Sequence, residues 1–187
     1  MDEKVVIEAA VAQLVAAVRS VRERHPQDQV YGAMFHEFYG DGSVMTWPVV
    51  TACTEDALMK VAMSYSTASS DRDGGSWAET LRWSGADFMQ VFDSEYSVEP
   101  GEVEDTIVAQ VQEHAARTGN VDAWESEYGR YLRCFPKAAM TARGLLIAEG
   151  VVDEQFVAIA ADETGDLIPL SLTKDQIRQH FLEYDAP

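Results

Sequence analysis

Two strand-like segments decide the fold: residues 29–39, with the sequence QVYGAMFHEFY, and residues 43–53, with the sequence SVMTWPVVTAC. Both faces of the first segment are largely apolar at period two, which is typical of a central strand covered on both sides. The second segment is rich in β-branched and aromatic residues, which favour strands. Gly40-Asp41-Gly42 joins the segments and supplies the positive φ angles of a short hairpin loop. We therefore predict a hairpin that seeds a sheet, with an edge or a bulge at Pro48, which has no backbone N–H.

Period-two alternation also divides the first strand into two faces. The predicted faces are Tyr31, Ala33, Phe35 and Tyr39 on one side, and Val30, Met34, His36 and Phe38 on the other.

Most of the remaining chain shows helical periodicity, with apolar stripes at spacings of three and four and capping residues at the ends. The predicted helices are residues 2–24, residues 55–66 capped by Thr54, a short turn beginning at Ser76, residues 101–117, a helix capped by Asn120 or Asp122, residues 138–148, and a final helix capped by Thr173. The fifth of these carries the strongest stripe, and Pro136 breaks it, kinks it or begins a new helix. Its stripe is Trp124, Tyr128, Tyr131, Leu132 and Phe135. In the final helix we expect Ile177, Phe181 and Leu182 to point inward.

Two more strands are predicted near the C-terminus, residues 155–161 and a returning partner at residues 167–172. Residues 67–75 are predicted to be a polar loop. The order of elements indicates a single α+β domain over residues 1–187. We expect an antiparallel or mixed sheet of about four or five strands flanked by helices.

The charge of the chain is strongly negative and unevenly spread. The formal net charge is −18, and two segments contain no Lys or Arg: residues 83–116, with eight acids, and residues 144–173, with six. Such a surface disfavours binding to nucleic acid or to an anionic membrane. It favours either a basic protein partner or plain solubility, with Glu102, Glu104 and Asp105 placed where a helix N-terminus attracts negative charge.

The compartment follows from the cysteine content and the N-terminus. No apolar run of about 18 residues predicts a membrane span. The start Met1-Asp2-Glu3-Lys4 lacks the basic region of a signal peptide. We expect Cys53 and Cys134 to be buried or inert thiols in a reducing compartment, with a single disulfide as the alternative. The prediction is a cytoplasmic protein.

Motifs for catalysis, cofactor binding or metal binding are not found. The chain has no glycine-rich phosphate loop, no Gly-x-Ser-x-Gly elbow, no His-x-x-x-His and no Cys-x-x-Cys. We predict no cofactor and no metal, and we nominate no catalytic residue. His36 is interpreted as a satisfied core or interface histidine, and His114 as a partner of a helix dipole.

Residues 82–88, with the sequence RWSGADF, have the most unusual local composition, beside the predicted loop at residues 67–75. A cation, an indole, a hydroxyl and a carboxylate within seven positions are suited to a cleft or a partner surface. In the alternative interpretation, the side chains of Trp83 and Phe88 pack against the sheet. Arg82 and Asp87 then form an ion pair nearby. The candidate interaction or cleft residues are Arg82, Trp83, Ser84, Asp87 and Phe88.

Three short motifs also match the pattern of a known family. They are Val30-Tyr31-Gly32-Ala33-Met34-Phe35, Thr54 before a helix, and Leu81-Arg82-Trp83-Ser84 with Asp87 shortly after. In these motifs and in the layout of most of the chain, the sequence resembles the bacterial domain-of-unknown-function family 4303, although Phe88 stands where that family places a tryptophan. The resemblance implies a small cytoplasmic bacterial domain without an established activity, and it carries over no catalytic residue. Some such families lie in toxin–antitoxin neighbourhoods, so the resemblance is compatible with an immunity role.

Three hypotheses about function follow. The first, which we prefer, is a non-enzymatic acidic protein-interaction domain, of immunity type if the resemblance holds, that binds a basic protein partner. The second is an enzyme or a small-molecule binder with its site near residues 82–88. The third is a structural subunit that forms homo-oligomers through the helix at residues 124–135 or through an open sheet edge.

Overall fold

A four-stranded mixed sheet organises the computed structural model, which describes residues 1–68, 74–83, 96–117 and 119–185. Its strands are β1 (Val30–His36), β2 (Val49–Thr54), β3 (Ser97–Val98) and β4 (Val157–Ala160), in the spatial order β3-β2-β1-β4. β2 is antiparallel to both of its neighbours, and β4 runs parallel to β1. The predicted α+β class with a mixed sheet is therefore confirmed.

The predicted hairpin is confirmed, with shorter strands and a longer connection. Every residue of β1 and of β2 is buried, as expected for strands covered on both sides. In the connection, Gly40 and Met45 form an isolated antiparallel bridge. The Asp41 carboxylate accepts hydrogen bonds from the backbone N–H groups of Ser43 and Val44 at 2.9 and 2.8 Å, which fixes the turn. β2 begins just after the proline at position 48, so the missing N–H of that proline removes no hydrogen bond between strands. The edge or bulge that was predicted at this proline is therefore not needed.

A β-bulge at the start of β1 changes the predicted division of its faces. The register with β2 shifts just before Gly32, which leaves Tyr31 as the extra residue. The Tyr31 ring meets Trp83 edge-on, at 5.3 Å between centroids, and Gly32 lies against the same indole. Phe35 instead packs against Phe135. The prediction that Tyr31 and Phe35 share a face is wrong because the bulge adds one residue between them.

The described residues contain seven α-helices. They are α1 (Glu3–Arg24), α2 (Glu55–Ala68), α3 (Gly74–Leu81), α4 (Glu102–Ala116), α5 (Val121–Leu132), α6 (Cys134–Ala148) and α7 (Lys174–His180). Side-chain oxygens of Thr54, Asn120 and Thr173 accept backbone N–H bonds, so these predicted caps are confirmed. Asp2, which was predicted to lie inside the first helix, instead caps α1 in the same way. The predicted loop at residues 67–75 is too long, because α2 and α3 extend into it and place position 76 inside α3. The proline at position 136 lies in the first turn of α6, where its missing N–H would have no helical acceptor.

One face of the sheet is covered by α1 and α6 through an aromatic cluster. Phe135 of α6 contacts the rings of Phe35, Trp47 and Tyr131 at centroid distances between 5.1 and 5.3 Å. The buried Trp47 indole donates a hydrogen bond to Gln13 of α1 at 2.8 Å, so its polar atom is satisfied inside the core. The predicted stripe of α1 is buried throughout: Val6, Ala10, Leu14, Ala17, Val18 and Val21.

The predicted return strand at residues 167–172 is wrong. This segment forms a turn and the 3₁₀ helix Pro169–Ser171 instead. The Ser171 hydroxyl accepts a hydrogen bond from the N–H of Ala160 at 3.0 Å, and the Arg143 guanidinium donates to the carbonyl of Phe156 at 2.7 Å. Side chains therefore satisfy backbone groups along the free edge of β4 that a further strand would otherwise pair.

One of the residues predicted to point inward from the final helix is exposed. Phe181 is buried, as predicted, but Leu182 is 71% exposed and lies in the 3₁₀ helix Leu182–Tyr184. The prediction that Leu182 points inward is wrong because α7 ends at residue 180. The spacing of an α-helix therefore does not extend to this residue.

The two cysteines are buried free thiols, as the first of the two expectations has it. The reducing compartment in that expectation stays a prediction. Burial raises the pKa of Cys53 well above its usual value and raises the pKa of Cys134 to about 11. Since the thiolate is the reactive form, neither side chain is suited to nucleophilic chemistry at neutral pH.

Close packing at Gly32 generates a stability prediction. A Cβ atom there would lie 2.9 Å from Trp83 and 3.0 Å from the carbonyl of Val157, which is part of the β1–β4 pairing. We expect Gly32→Ala to lower the free energy of unfolding by about 1–3 kcal/mol, because the added methyl group overpacks a backbone contact. Urea denaturation measures this change.

The matched control is Gly144→Ala on α6, where a Cβ meets no atom within 4 Å. This substitution should stabilise the protein by about 0.5–1 kcal/mol, because alanine favours a helix more than glycine does. Equal effects of the two substitutions would contradict the packing described around β1.

Candidate functional site

Arg82 follows α3 and is held entirely by contacts that strengthen the fold. Its guanidinium forms two parallel hydrogen bonds with the Glu55 carboxylate, at 2.6 and 2.8 Å. It also lies 4.4 Å from the centre of the Tyr31 ring, and the Tyr31 hydroxyl donates to the Arg82 carbonyl at 3.2 Å. These contacts join α2, α3 and β1, so the guanidinium already has a carboxylate partner within the fold.

Trp83 packs over the bulged end of β1. Its indole contacts Gly32 and Tyr31 and lies 5.3 Å from the Phe181 ring, so it is half-buried. The guanidinium of Arg82 bonds Glu55, and its predicted pairing with Asp87 involves a residue outside the described part of the chain. The other predicted site residues, Ser84, Asp87 and Phe88, lie outside the described residues.

The carboxylates of the two base-free segments are mostly without a basic neighbour. Glu113 pairs with Arg117 at 2.6 Å, and Glu149 pairs with Arg19. Within the described part of the chain, nine others have no Lys, Arg or His at ion-pair distance: Glu99, Glu102, Glu104, Asp105, Asp153, Glu154, Asp162, Glu163 and Asp166. The negative charge therefore remains largely uncompensated on the folded protein.

Three of these nine acids have a local structural role at α4. Glu102, Glu104 and Asp105 lie in its first turn, where the helix dipole favours negative charge. Glu104 also accepts a hydrogen bond from the backbone N–H of Gly101 at 3.0 Å. The expectation of helix-end placement is confirmed for this group.

A second group of carboxylates gathers where β1 and β4 end. Because these strands are parallel neighbours, the residues that follow them leave the sheet at the same edge. The N–H of Ala161 still donates to the carbonyl of Phe35 at 2.9 Å. Glu37 follows β1 directly, and Asp162 follows Ala161 after β4. We call this group the acidic edge, and it comprises Glu37, Asp162, Glu163, Asp166 and Glu183.

Two half-buried tyrosines lie within the field of the acidic edge. Burial, followed by the carboxylates of Asp162 and Glu163, raises the pKa of Tyr128 to about 12. Burial also raises the pKa of Tyr184, and Glu183, Asp162 and Asp166 add to the effect. The Asp162 carboxylate therefore contributes to the raised pKa of both tyrosines.

Glu37 is the strained member of the acidic edge. It has φ of +60°, which makes it the one non-glycine residue with positive φ among the described residues. Burial and the nearby carboxylate of Glu99 raise its pKa. Positive φ turns the chain sharply out of β1 and holds Glu37 beside a like charge.

His36, the last residue of β1, begins a polar chain across the sheet. Its Nε2 atom lies 2.7 Å from the Thr51 hydroxyl on β2, which lies 2.8 Å from the Ser97 hydroxyl on β3. His36 is 3% exposed, and burial lowers its pKa to about 4. The expectation of a core histidine is confirmed, and the Thr51 hydroxyl is the partner of its Nε2 atom.

Sequence reasoning missed both the acidic edge and this polar chain as spatial groups. The members of each come from segments far apart in sequence, and a parallel pairing of β1 with β4 was needed to predict the first. His36 and Glu37 are adjacent in the sequence, but the contact between their side chains depends on the positive φ of Glu37.

Comparisons with protein-family models, with curated proteins and with solved structures give no match for this chain. The resemblance to family 4303 therefore stays a prediction. No helix in the described residues is both long enough and apolar enough to cross a membrane. The same residues contain no cluster of three or more His, Cys, Asp or Glu side chains that could hold a metal ion.

Burial of His36 predicts a pH dependence of stability. Its folded pKa of about 4 lies below the ordinary value of 6.5, so the unfolded chain takes up the proton first as the pH falls. The free energy of unfolding should therefore fall by about 3 kcal/mol on account of His36 between about pH 7 and pH 4. Above the ordinary pKa both states are neutral and the effect vanishes.

Urea denaturation across this pH range isolates the effect by comparison of variants. His36→Gln should show a shallower loss of stability with acid than the wild type. His114→Gln, at a half-exposed position, should behave like the wild type. Parallel pH profiles for the wild type and His36→Gln would contradict the account of a buried neutral imidazole.

Proposed function

We propose that this protein is a non-enzymatic interaction domain that binds a basic protein partner at the acidic edge. The observation that carries the proposal is the uncompensated charge of this edge, where Asp162, Glu163 and Asp166 have no basic neighbour in the described part of the chain. A surface of this kind attracts cationic partners over several ångströms and raises their rate of association.

Exposed apolar side chains beside the acidic edge add to this argument. Tyr39 and Leu170 are each 51% exposed, and Leu182 is 71% exposed directly before Glu183. Protein interfaces combine such apolar contact area with a charged rim, and tyrosine also binds arginine and lysine through its ring face. The acidic edge therefore offers both long-range attraction and contact area to a basic partner.

An immunity-type role is one form of this proposal, in which the basic partner is a toxin. Its support is the resemblance to family 4303 together with the charge complementarity described above. A cytoplasmic bacterial location belongs to the same proposal.

The two alternative functions have less support. A ligand site near residues 82–88 would draw on Arg82, but Glu55 already occupies its guanidinium. A homo-oligomer through α5 would draw on Trp124 and Tyr131, which are 5% and 0% exposed and therefore serve the core. The free edge of β4 is covered by side chains, which disfavours the pairing of sheets between subunits.

Charge reversal at the acidic edge tests the proposal. We expect Glu163→Arg with Glu183→Arg to weaken binding of an arginine-rich probe peptide at least about 10-fold at low salt, and the wild-type affinity to fall steeply toward about 1 M salt. Isothermal titration calorimetry measures the affinities, and NMR chemical shifts locate the peptide.

The matched control is Glu23→Arg with Glu79→Arg, two exposed positions near the opposite end of β1. Both pairs of substitutions change the net charge from −18 to −14, since each replaces one negative charge by a positive one. Equal weakening by the two pairs, or peptide-induced shifts spread over the whole surface, would leave only nonspecific attraction and overturn the proposal.

A further inference from the structure

An open pocket of about 570 Å³ lies between the C-terminal half of α6, the segment that precedes β4, and α7. A volume of this size is typical of sites for small molecules. No residue of the acidic edge lines this pocket, so it is a separate feature of the surface. The lining residues that matter below are Arg143, Gly144, Glu154, Gln155 and Gln179.

Arg143 brings an oriented positive charge to the pocket. Its Nε and Nη2 atoms donate hydrogen bonds to the backbone carbonyls of Phe156 and Glu154, at 2.7 and 2.5 Å, which fixes one edge of the planar guanidinium. In the described part of the chain, no carboxylate lies at ion-pair distance from Arg143, and its Nη1 atom has no hydrogen-bond partner. The second edge of the guanidinium, formed by Nη1 and Nη2, is therefore open, and this edge matches a carboxylate with two parallel hydrogen bonds.

The pocket also carries a negative charge and neutral amides. Glu154 has no Lys, Arg or His at ion-pair distance among the described residues, although Arg143 lines the same pocket. The side-chain amide of Gln179 donates to that of Gln155 at 3.3 Å, which joins α7 to the segment before β4. Each of these amides has a further donor or acceptor for a ligand. A separated cation and carboxylate with amides between them are suited to a ligand that carries both signs of charge.

Gly144 is a helical glycine that the fold itself does not require. Its φ is not positive, and an added Cβ atom would meet no atom within 4 Å. Glycine is less favourable than alanine in a helix, so this residue costs stability without a packing contact in return. Its effect is to leave open space in the wall of the pocket.

We propose that this pocket binds a free basic amino acid, whose α-carboxylate pairs with the open edge of Arg143. The cationic groups of the ligand lie toward Glu154 and the amide oxygen of Gln179. A purely anionic ligand is disfavoured, because the chain carries a formal charge of −18. A carboxylate that also carries two cationic groups has a net positive charge and is attracted. This binding does not depend on the acidic edge or on a protein partner.

The test compares L-arginine with agmatine, which is arginine without its carboxylate. Agmatine carries more net positive charge, so nonspecific attraction to an acidic protein favours agmatine, whereas pairing with Arg143 requires the carboxylate. We expect saturable binding of one L-arginine per chain, at least about 10-fold tighter than that of agmatine. Isothermal titration calorimetry with the intact chain measures both affinities, and the amide NMR signals of Gly144, Gln155 and Gln179 should shift on addition of L-arginine.

Two variants separate the pocket from its surroundings. Gly144→Leu should weaken binding of L-arginine at least about 10-fold, because the side chain fills the open space while leucine favours the helix. Arg143→Lys should weaken L-arginine to a similar extent and leave agmatine unchanged, because lysine keeps the charge but loses the planar fork. The matched control is Thr141→Leu, at an exposed position of α6 outside the pocket lining, which should bind as the wild type does.

Three outcomes would each overturn the assignment. The first is an affinity for agmatine equal to or higher than that for L-arginine. The second is unchanged binding by Gly144→Leu that remains folded by circular dichroism. The third is the absence of saturable binding of L-arginine to the wild type.

Discussion

Burial of β1 on both faces is the constraint on which the rest of the structure depends. All seven of its residues are buried, so one face must be covered by α1 and α6 and the bulged end by Trp83. Apolar groups from nearly every element are needed for this purpose. Since ionised carboxylates resist transfer from water, most of the acids are left on the outside of the fold.

The same constraint concentrates charge at one end of the sheet. The buried runs of β1 and β4 stop together, and the polar residues that follow them meet at the acidic edge. His36, the last residue of β1, is polar and stays buried, and Thr51 is the partner of its Nε2 atom. The boundary between core and solvent therefore passes between His36 and Glu37, where the backbone takes its positive φ.

Local patterns in the sequence were sufficient for most of the fold. The stripe of α1, the cap at Thr173 and the doubly covered first strand each depend on neighbouring residues, and each was predicted. The strand was predicted at residues 29–39 and is found at residues 30–36. The errors arose where a distant contact decides the outcome. Residues 167–172 are apolar enough for a strand, yet the Ser171 hydroxyl bonds the edge of β4 and the segment forms a 3₁₀ helix. The bulge at Tyr31 likewise depends on its pairing with β2.

The candidate sites were less predictable than the fold for the same reason. Arg82 attracts attention by its composition with Trp83, but its partner Glu55 lies 27 positions away in the chain. The acidic edge and the polar chain through Thr51 both join residues of three or more segments. Net charge and the two base-free segments indicated an acidic surface, whereas its location required the strand order.

Amide hydrogen exchange of β1 tests the central claim most directly. If this strand is the most deeply buried element, the amides of Ala33, Met34 and Phe35 should exchange only through global unfolding, with the free energy measured by urea denaturation. Exchange of these amides at a distinctly lower free energy than those of Ala139 and Ala142 in α6 would contradict a fold built around β1.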